Sequence, residues 1–367
     1  MKILLLGEYS NVHWTLAEGL RALGHEVTVV SDGDGWKNYP RDISLHRKST
    51  GKIDTIDFML RLARTLPKLN GYDSVQLINP VFLELKAERL YSIYQRLRQD
   101  NKKVFLGAFG MDYYWVKTGL DGKTFRYSDF NIGNKIRVNK DNERFITEWI
   151  KGEKGKLNRY IAKDCDGIVS GLYEYDTCYR PVFPDKTQFI PFPINIKSIT
   201  PRQRTASERI KFFIGVQRTR NAYKGTDILY DCLMQLAERY PQRLEVVKAE
   251  NVPYAEYCRM MDGSDVLLDQ IYSYTPAMNA LLAMAKGIVV VSGGEEENYA
   301  ILNEKELRPI INVQPNAESV YKELEKIILN PNLLTQLSAE SIKYIERHHD
   351  HIKVAQQYLE FWNNKTK

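Results

Sequence analysis

The 367-residue chain contains no run of eighteen apolar residues, so no segment of it is suited to span a bilayer as a helix. Its four cysteines, Cys165, Cys178, Cys232 and Cys258, stand far apart with no C-x-x-C spacing. That spacing excludes the usual zinc frameworks and a disulfide scaffold, and it points to a reducing cytoplasm. No G-x-G-x-x-G follows the first apolar stretch, where the residues are GEYSN, so a dinucleotide dehydrogenase is disfavoured. Basic residues are scattered, without a helix-turn-helix, zinc-finger or RRM signature, and no nucleic-acid partner is expected. The charge excess is small: Lys and Arg outnumber Asp and Glu by 52 to 46, a mild bias that suits phosphates or an acidic bilayer surface. The opening MKILLLGEYS has too short an apolar core for a secretory leader, with Glu8 following at once, and reads as a first strand.

What is present is alternation. KILLLG is a buried-strand pattern, Val12, Leu16, Leu20 and Leu23 recur at helical spacing, and LGHEVTVVS turns into a second strand: a β-α-β unit with a parallel sheet implied. Strands are expected at 43–46, 74–79, 103–109 and 167–171, and helices at 54–66, 83–99 and 156–163. The stretch 112–154 is polar and aromatic and reads as an elaborated loop with some helix. FIPFPINIKSITPRQRTASER reads as a linker. A second series follows, with strands at 210–215, 244–248, 266–269, 288–292 and 309–313. Its helices are expected at 225–240, 253–261, 276–286, 295–303 and 317–329, and helical sequence closes the chain from 333 to about 362. The fold expected is α/β, with two doubly wound Rossmann-like domains at 1–195 and 196–345, and a C-terminal helix at 346–367 that can pack back on the first domain. Ligands are expected beyond the carboxyl ends of the parallel strands, in a cleft between the domains.

Four segments occur in a telling order: GHEV (24–27), YKGTDIL (223–229), SDVLLDQ (264–270) and LAMAKGIVVVS (282–292). With them the chain resembles the GT-B glycosyltransferases, in particular the large bacterial retaining family that uses nucleotide sugars (glycosyl transferases group 1). The resemblance covers nearly the whole chain. It implies transfer of a sugar from a nucleotide diphosphate sugar to a glycan, lipid-linked or other acceptor, with retention and without a metal or other cofactor. It also implies a place in polysaccharide biosynthesis, in the cytoplasm. That family carries two glutamates with seven residues between them, the second just before A-M-A; Tyr274 and Leu282 stand at those positions here. This departure keeps two alternatives open: a non-catalytic nucleotide-sugar-binding or partner protein on the same scaffold, and a nucleotide-sugar epimerase.

A diphosphate leaving group gains negative charge, so cations and backbone N–H groups must meet it. The resemblance places Arg218 and Lys224 at the diphosphate, with Arg220 a third candidate. Thr275 followed by Pro276 reads as a helix start, making Thr275 and Asn279 candidates for the phosphate side. Gln270, Tyr272, Tyr274, Gly293 and Gly294 are candidates for the nucleotide or sugar, and Glu250 for the ribose or base. On the acceptor side Gly110 and Asp112 follow a strand end, and Asp112 is either a carboxylate facing the acceptor or a helix cap. Gly7, Glu8 and His13 look toward the same region, with His13 the second catalytic candidate. Asp32-Gly33-Asp34 reads as a turn and HHDH (348–351) as a helix junction, neither of them a metal site. Arg61, Arg64 and Lys68 with Leu60, Leu62 and Leu66 could touch an acidic membrane leaflet peripherally; those leucines are expected in the core.

Overall fold

The computed structural model describes residues 1–202, 209–216 and 221–365. Among the described residues fourteen strands occur in chain order: β1 Lys2–Leu6, β2 Glu26–Ser31, β3 Ile43–Ser44, β4 Ser74–Leu77, β5 Lys103–Ala108, β6 Asn131–Ile132, β7 Lys135–Ile136, β8 Gly167–Ser170, β9 Thr187–Phe189, β10 Ile210–Val216, β11 Leu244–Glu250, β12 Val266–Leu268, β13 Val289–Ser292 and β14 Ile311–Asn312. They build two parallel sheets and a small antiparallel hairpin, β6–β7. The chain packs as two units. One comprises Met1–Thr118, Glu143–Asn195 and His351–Lys367; the other comprises Gly119–Asn142 and Ile196–Asp350.

The first unit holds the seven-stranded sheet, ordered β3-β2-β1-β4-β5-β8-β9. Its central strands are apolar on both faces because helices cover both: Ile3 to Leu6 and Val104 to Leu106 are fully buried. The helical spacing read at Val12 gives the helix Val12–Ala22. The C-terminal helix His351–Asn364 belongs to this unit, and Phe361 and Trp362 pack their rings on Phe105. Lys103 ties it further by donating to the Trp362 carbonyl at 2.8 Å.

The second unit holds the five-stranded sheet, ordered β11-β10-β12-β13-β14. Its core joins Phe212 and Ile214 of β10, Leu268 of β12 and Val291 of β13 to Leu229, Leu233, Val320 and Leu324 of two covering helices. Helix Ala317–Leu329 has the bounds the sequence suggests, since Asn316 caps it by accepting the Ser319 amide at 2.9 Å. The sequence reading leaves 119–142 in the first domain, whereas this arm packs with the second unit. The closing helical stretch is two helices, Asn332–His348 and His351–Asn364, broken at His349-Asp350.

Candidate functional site

Strand order reverses in each sheet at one point, and crevices form there beyond the strand ends. In the second unit the point lies between β10 and β12. Lys224 follows β10 and Asp269 follows β12 directly, and the Ile271 amide donates to the Lys224 carbonyl at 3.0 Å. Asp269 is buried. Its Oδ1 receives the Asn279 amide at 3.1 Å and the Lys224 ammonium at 3.4 Å; its Oδ2 is buried with no donor among the described residues. Asn279 is held in turn by the Tyr257 hydroxyl at 3.1 Å. A cation, an amide and a half-satisfied carboxylate thus share one point at the end of a parallel sheet. The sequence reading missed Asp269 and Tyr257. Asp269 carried a signal, an acid directly after the apolar strand VLLDQ, whereas Tyr257 reaches the site only through tertiary packing on Phe213, 5.0 Å between rings.

The other donor-side candidates fall variously. Arg218 and Arg220 lie outside the described residues. Gln270 donates to the Ser273 hydroxyl at 3.0 Å, and Glu250 ends β11 opposite Val216, paired with Lys248 at 2.8 Å. The helix expected from Pro276 begins at Met278 with extended Ala277 ahead of it, so buried Thr275 is not its cap. Asn279 therefore sits in the first turn. Gly293 and Gly294 do not form an open anion nest. A Cβ on Gly293 would overlap the Ser273 carbonyl oxygen, the Gly294 amide donates to Asn312 at 2.9 Å, and the Glu295 amide donates to the Tyr274 carbonyl at 3.0 Å. These glycines serve close packing.

Both tyrosines at the expected sugar position are covered by the arm Gly119–Asn142. The Arg137 guanidinium lies 3.6 Å over the Tyr272 ring. Tyr274 is buried, stacks on Tyr127 at 4.9 Å, and its hydroxyl accepts the Arg126 amide at 2.7 Å. Beside it Glu295 accepts from the Tyr127 hydroxyl (2.6 Å), Gln314 (2.6 Å), Asn312 (2.9 Å) and Arg126 (2.9 Å). Burial pushes the Glu295 carboxyl up, but the bonds from Asn312, Tyr127 and Gln314 and the Arg126 charge outweigh it and hold it below its ordinary range. Where the resembled family has a glutamate, Tyr274 anchors the arm.

In the first unit the reversal lies between β1 and β4. Gly7 follows β1 in the left-handed region at φ +88, and a Cβ there would overlap Ile78 after β4. Glu8 is buried and accepts the amides of His13 (3.2 Å) and Trp14 (2.9 Å) at the start of the helix Val12–Ala22; burial raises its pKa to about 8. His13 is fully buried with Nδ1 2.8 Å from the Gly7 carbonyl. A carbonyl only accepts, so Nδ1 carries the proton and Nε2 is left as an acceptor with no partner among the described residues. Burial lowers the His13 pKa to about 3 and keeps the ring neutral.

Asp112 is also fully buried. One oxygen accepts the Trp115 amide at 2.9 Å and the other the Tyr179 hydroxyl at 2.7 Å, with Asn158 donating to Tyr179 at 3.0 Å. It caps the helix Tyr113–Gly119, the capping role left open in the sequence, and burial raises its pKa to about 6. Gly110 lies against the Tyr9 ring. Asp32 to Asp34 form a turn in which Asp34 accepts the Ser10 amide and pairs with Lys37. His348 bonds Glu304 at 2.6 Å. Among the described residues no group of three His, Cys, Asp or Glu could hold a metal ion.

No protein-family model matches the chain, and no curated protein matches it. Solved structures do. Sucrose-phosphate synthase from Thermosynechococcus elongatus superposes with a TM-score of 0.66 at 12% identity, over 99% of this chain and 98% of that one. Anabaena HepE with UDP and glucose gives 0.58 at 12% identity, over 99% and 100%. WaaG, described as a glycosyltransferase involved in lipopolysaccharide biosynthesis, gives 0.56 at 12% identity over the same shares. The fold is GT-B. In this GT-B chain the two reversal points carry the two clusters described above, Lys224–Asp269–Asn279 in one unit and Gly7–Glu8–His13 in the other. No helix of the described residues is long and apolar enough to cross a membrane.

Proposed function

We propose that the protein is a glycosyltransferase that takes a sugar from a nucleotide diphosphate sugar and passes it to a glycan, lipid-linked or other acceptor hydroxyl with retention, without a resident metal. The observation that carries this reading is the Lys224–Asp269–Asn279 cluster at the strand-order reversal of the second sheet, on a fold shared with proteins solved with UDP bound. In the transfer the bond from sugar C1 to the β-phosphate oxygen breaks, and its electron pair leaves with the diphosphate. The acceptor oxygen bonds C1, and the acceptor proton passes to the departing diphosphate. Lys224, with Arg218 as the second cation, meets the charge that develops there. Asp269 Oδ2, with no hydrogen-bond donor among the described residues, takes a hydroxyl of the sugar nucleotide, and Asn279 orients that carboxylate.

On the acceptor side His13 offers Nε2 to a hydroxyl. With a pKa near 3 it orients that group and does not keep its proton. Asp112 acts as a positioning residue through the helix it caps. A second reading, a protein that binds nucleotide sugars without turning them over, is favoured by the burial of Tyr274 under the arm and by Leu282. Both are tested by offering UDP-, ADP- and GDP-sugars with mixed acceptors and following nucleotide release and product mass. Turnover supports transfer, binding with no turnover across the panel supports the second reading, and no binding at all sinks both.

A further inference from the structure

The helix Lys52–Thr65 is apolar on two sides. Phe58, Leu62 and Thr65 point inward and are buried. On the outward side Ile53 is 83% exposed, Ile56 60%, Leu60 53% and Met59 36%. Spacings of three and four residues put Ile53, Ile56 and Leu60 along one line. A single exposed isoleucine needs no account; a line of three large aliphatics on a solvent-facing side does. Of the leucines expected in the core, Leu62 is there, whereas Leu60 belongs to this outer line.

The rim of that line is cationic. Between Arg47 and Lys68 the sequence has six basic residues and two acidic ones. Both acids are engaged locally, Asp57 by Arg61 at 2.9 Å and Asp54 by the Ser49 hydroxyl at 2.5 Å. Lys48, Lys52, Arg64 and Lys68 are exposed. Fourteen residues make a helix about 21 Å long, short of the ~30 Å needed to cross a bilayer, so it suits lying along a surface.

We propose that this face docks on an anionic bilayer, the helix lying in the interface with Ile53, Ile56 and Leu60 entering the acyl boundary and the four cations meeting anionic headgroups. Charge selects this occupant: a second copy of the chain seated face to face would set like-charged rims against each other. The inference stands apart from the transferase reading and survives its failure.

The test is co-sedimentation of the full chain with phosphatidylglycerol-containing vesicles and with pure phosphatidylcholine vesicles. Binding is expected only to the anionic vesicles, with loss in high salt. The triple variant Ile53→Ser, Ile56→Ser, Leu60→Ser should bind roughly tenfold more weakly, as should Lys48→Gln, Lys52→Gln, Arg64→Gln, Lys68→Gln. All these side chains face outward, so an unchanged circular dichroism spectrum shows that the fold persists. Failure of the native chain to bind anionic vesicles, equal binding by both variants, or a dimer in sedimentation velocity that the triple variant abolishes would each overturn the proposal.

Discussion

Glu295→Ala should be among the most damaging single substitutions in the second unit. The carboxylate is 9% exposed and accepts four bonds, from Tyr127, Asn312, Gln314 and Arg126. Truncation strands the buried Tyr127 hydroxyl and the half-buried Asn312 amide at about 1–3 kcal/mol each, while exposed Gln314 turns to water; the two costs do not add fully because neighbours relax. Arg126 adds little, since its side chain is 55% exposed and it retains Glu297. The net loss should be about 2–4 kcal/mol, or roughly 10 °C in the melting of a unit this size. Glu295→Gln keeps one oxygen acceptor and should lose about half as much.

The readout matters, because all five tryptophans (Trp14, Trp36, Trp115, Trp149 and Trp362) lie in the first unit and their fluorescence is blind to the second. Calorimetry should follow stability, and hydrogen exchange at the Arg126 amide should follow the arm. The sign of the pH effect is fixed. The folded pKa of Glu295 is lowered, so its contribution is present above the ordinary carboxylate range and is lost as pH falls through the folded value. The Gln variant should lack that acid-side loss. An Ala variant within roughly 1 kcal/mol of the native protein, with the Arg126 amide still protected, would refute the reasoning.

Lys224→Ala should weaken nucleoside diphosphate binding about tenfold at low salt, measured by calorimetric titration; unchanged affinity would remove the phosphate cation. Gly293→Ala should cost about 2–4 kcal/mol in thermal unfolding, because its methyl group must displace the Ser273 carbonyl. Asp112 has a raised folded pKa of about 6, so native stability should fall as pH rises from about 4 through 6. Asp112→Asn should flatten that slope, and an unaltered slope in melting scans would show that the buried carboxyl is not its source.

Periodicity and chain order made the two parallel sheets legible, because buried strands such as ILLL and VVVS have no polar face to confuse with loops. The three-residue β9 and the hairpin β6–β7 went unread, being too short to show a period. The glycines at 293 and 294 were visible, but their purpose depends on Ser273 and Asn312, which the chain brings close only after folding. The same holds for Tyr274: a lone tyrosine in sequence does not show that Arg126 and Tyr127, about 150 residues earlier, will cover it. Asp269 shows in sequence only as an acid after an apolar strand; its role depends on Lys224 and Asn279, which folding brings to it.

Because His351–Asn364 covers β5 and Gly119–Asn142 supplies donors to Glu295, neither unit is a continuous stretch of chain. During synthesis the first unit cannot finish until His351–Asn364 has left the ribosome, by which time the second has all its parts. A cut or graft at residue 195 would likewise leave Phe105 bare in one fragment and strip Glu295 of two partners in the other. The two halves cannot be exchanged as cassettes.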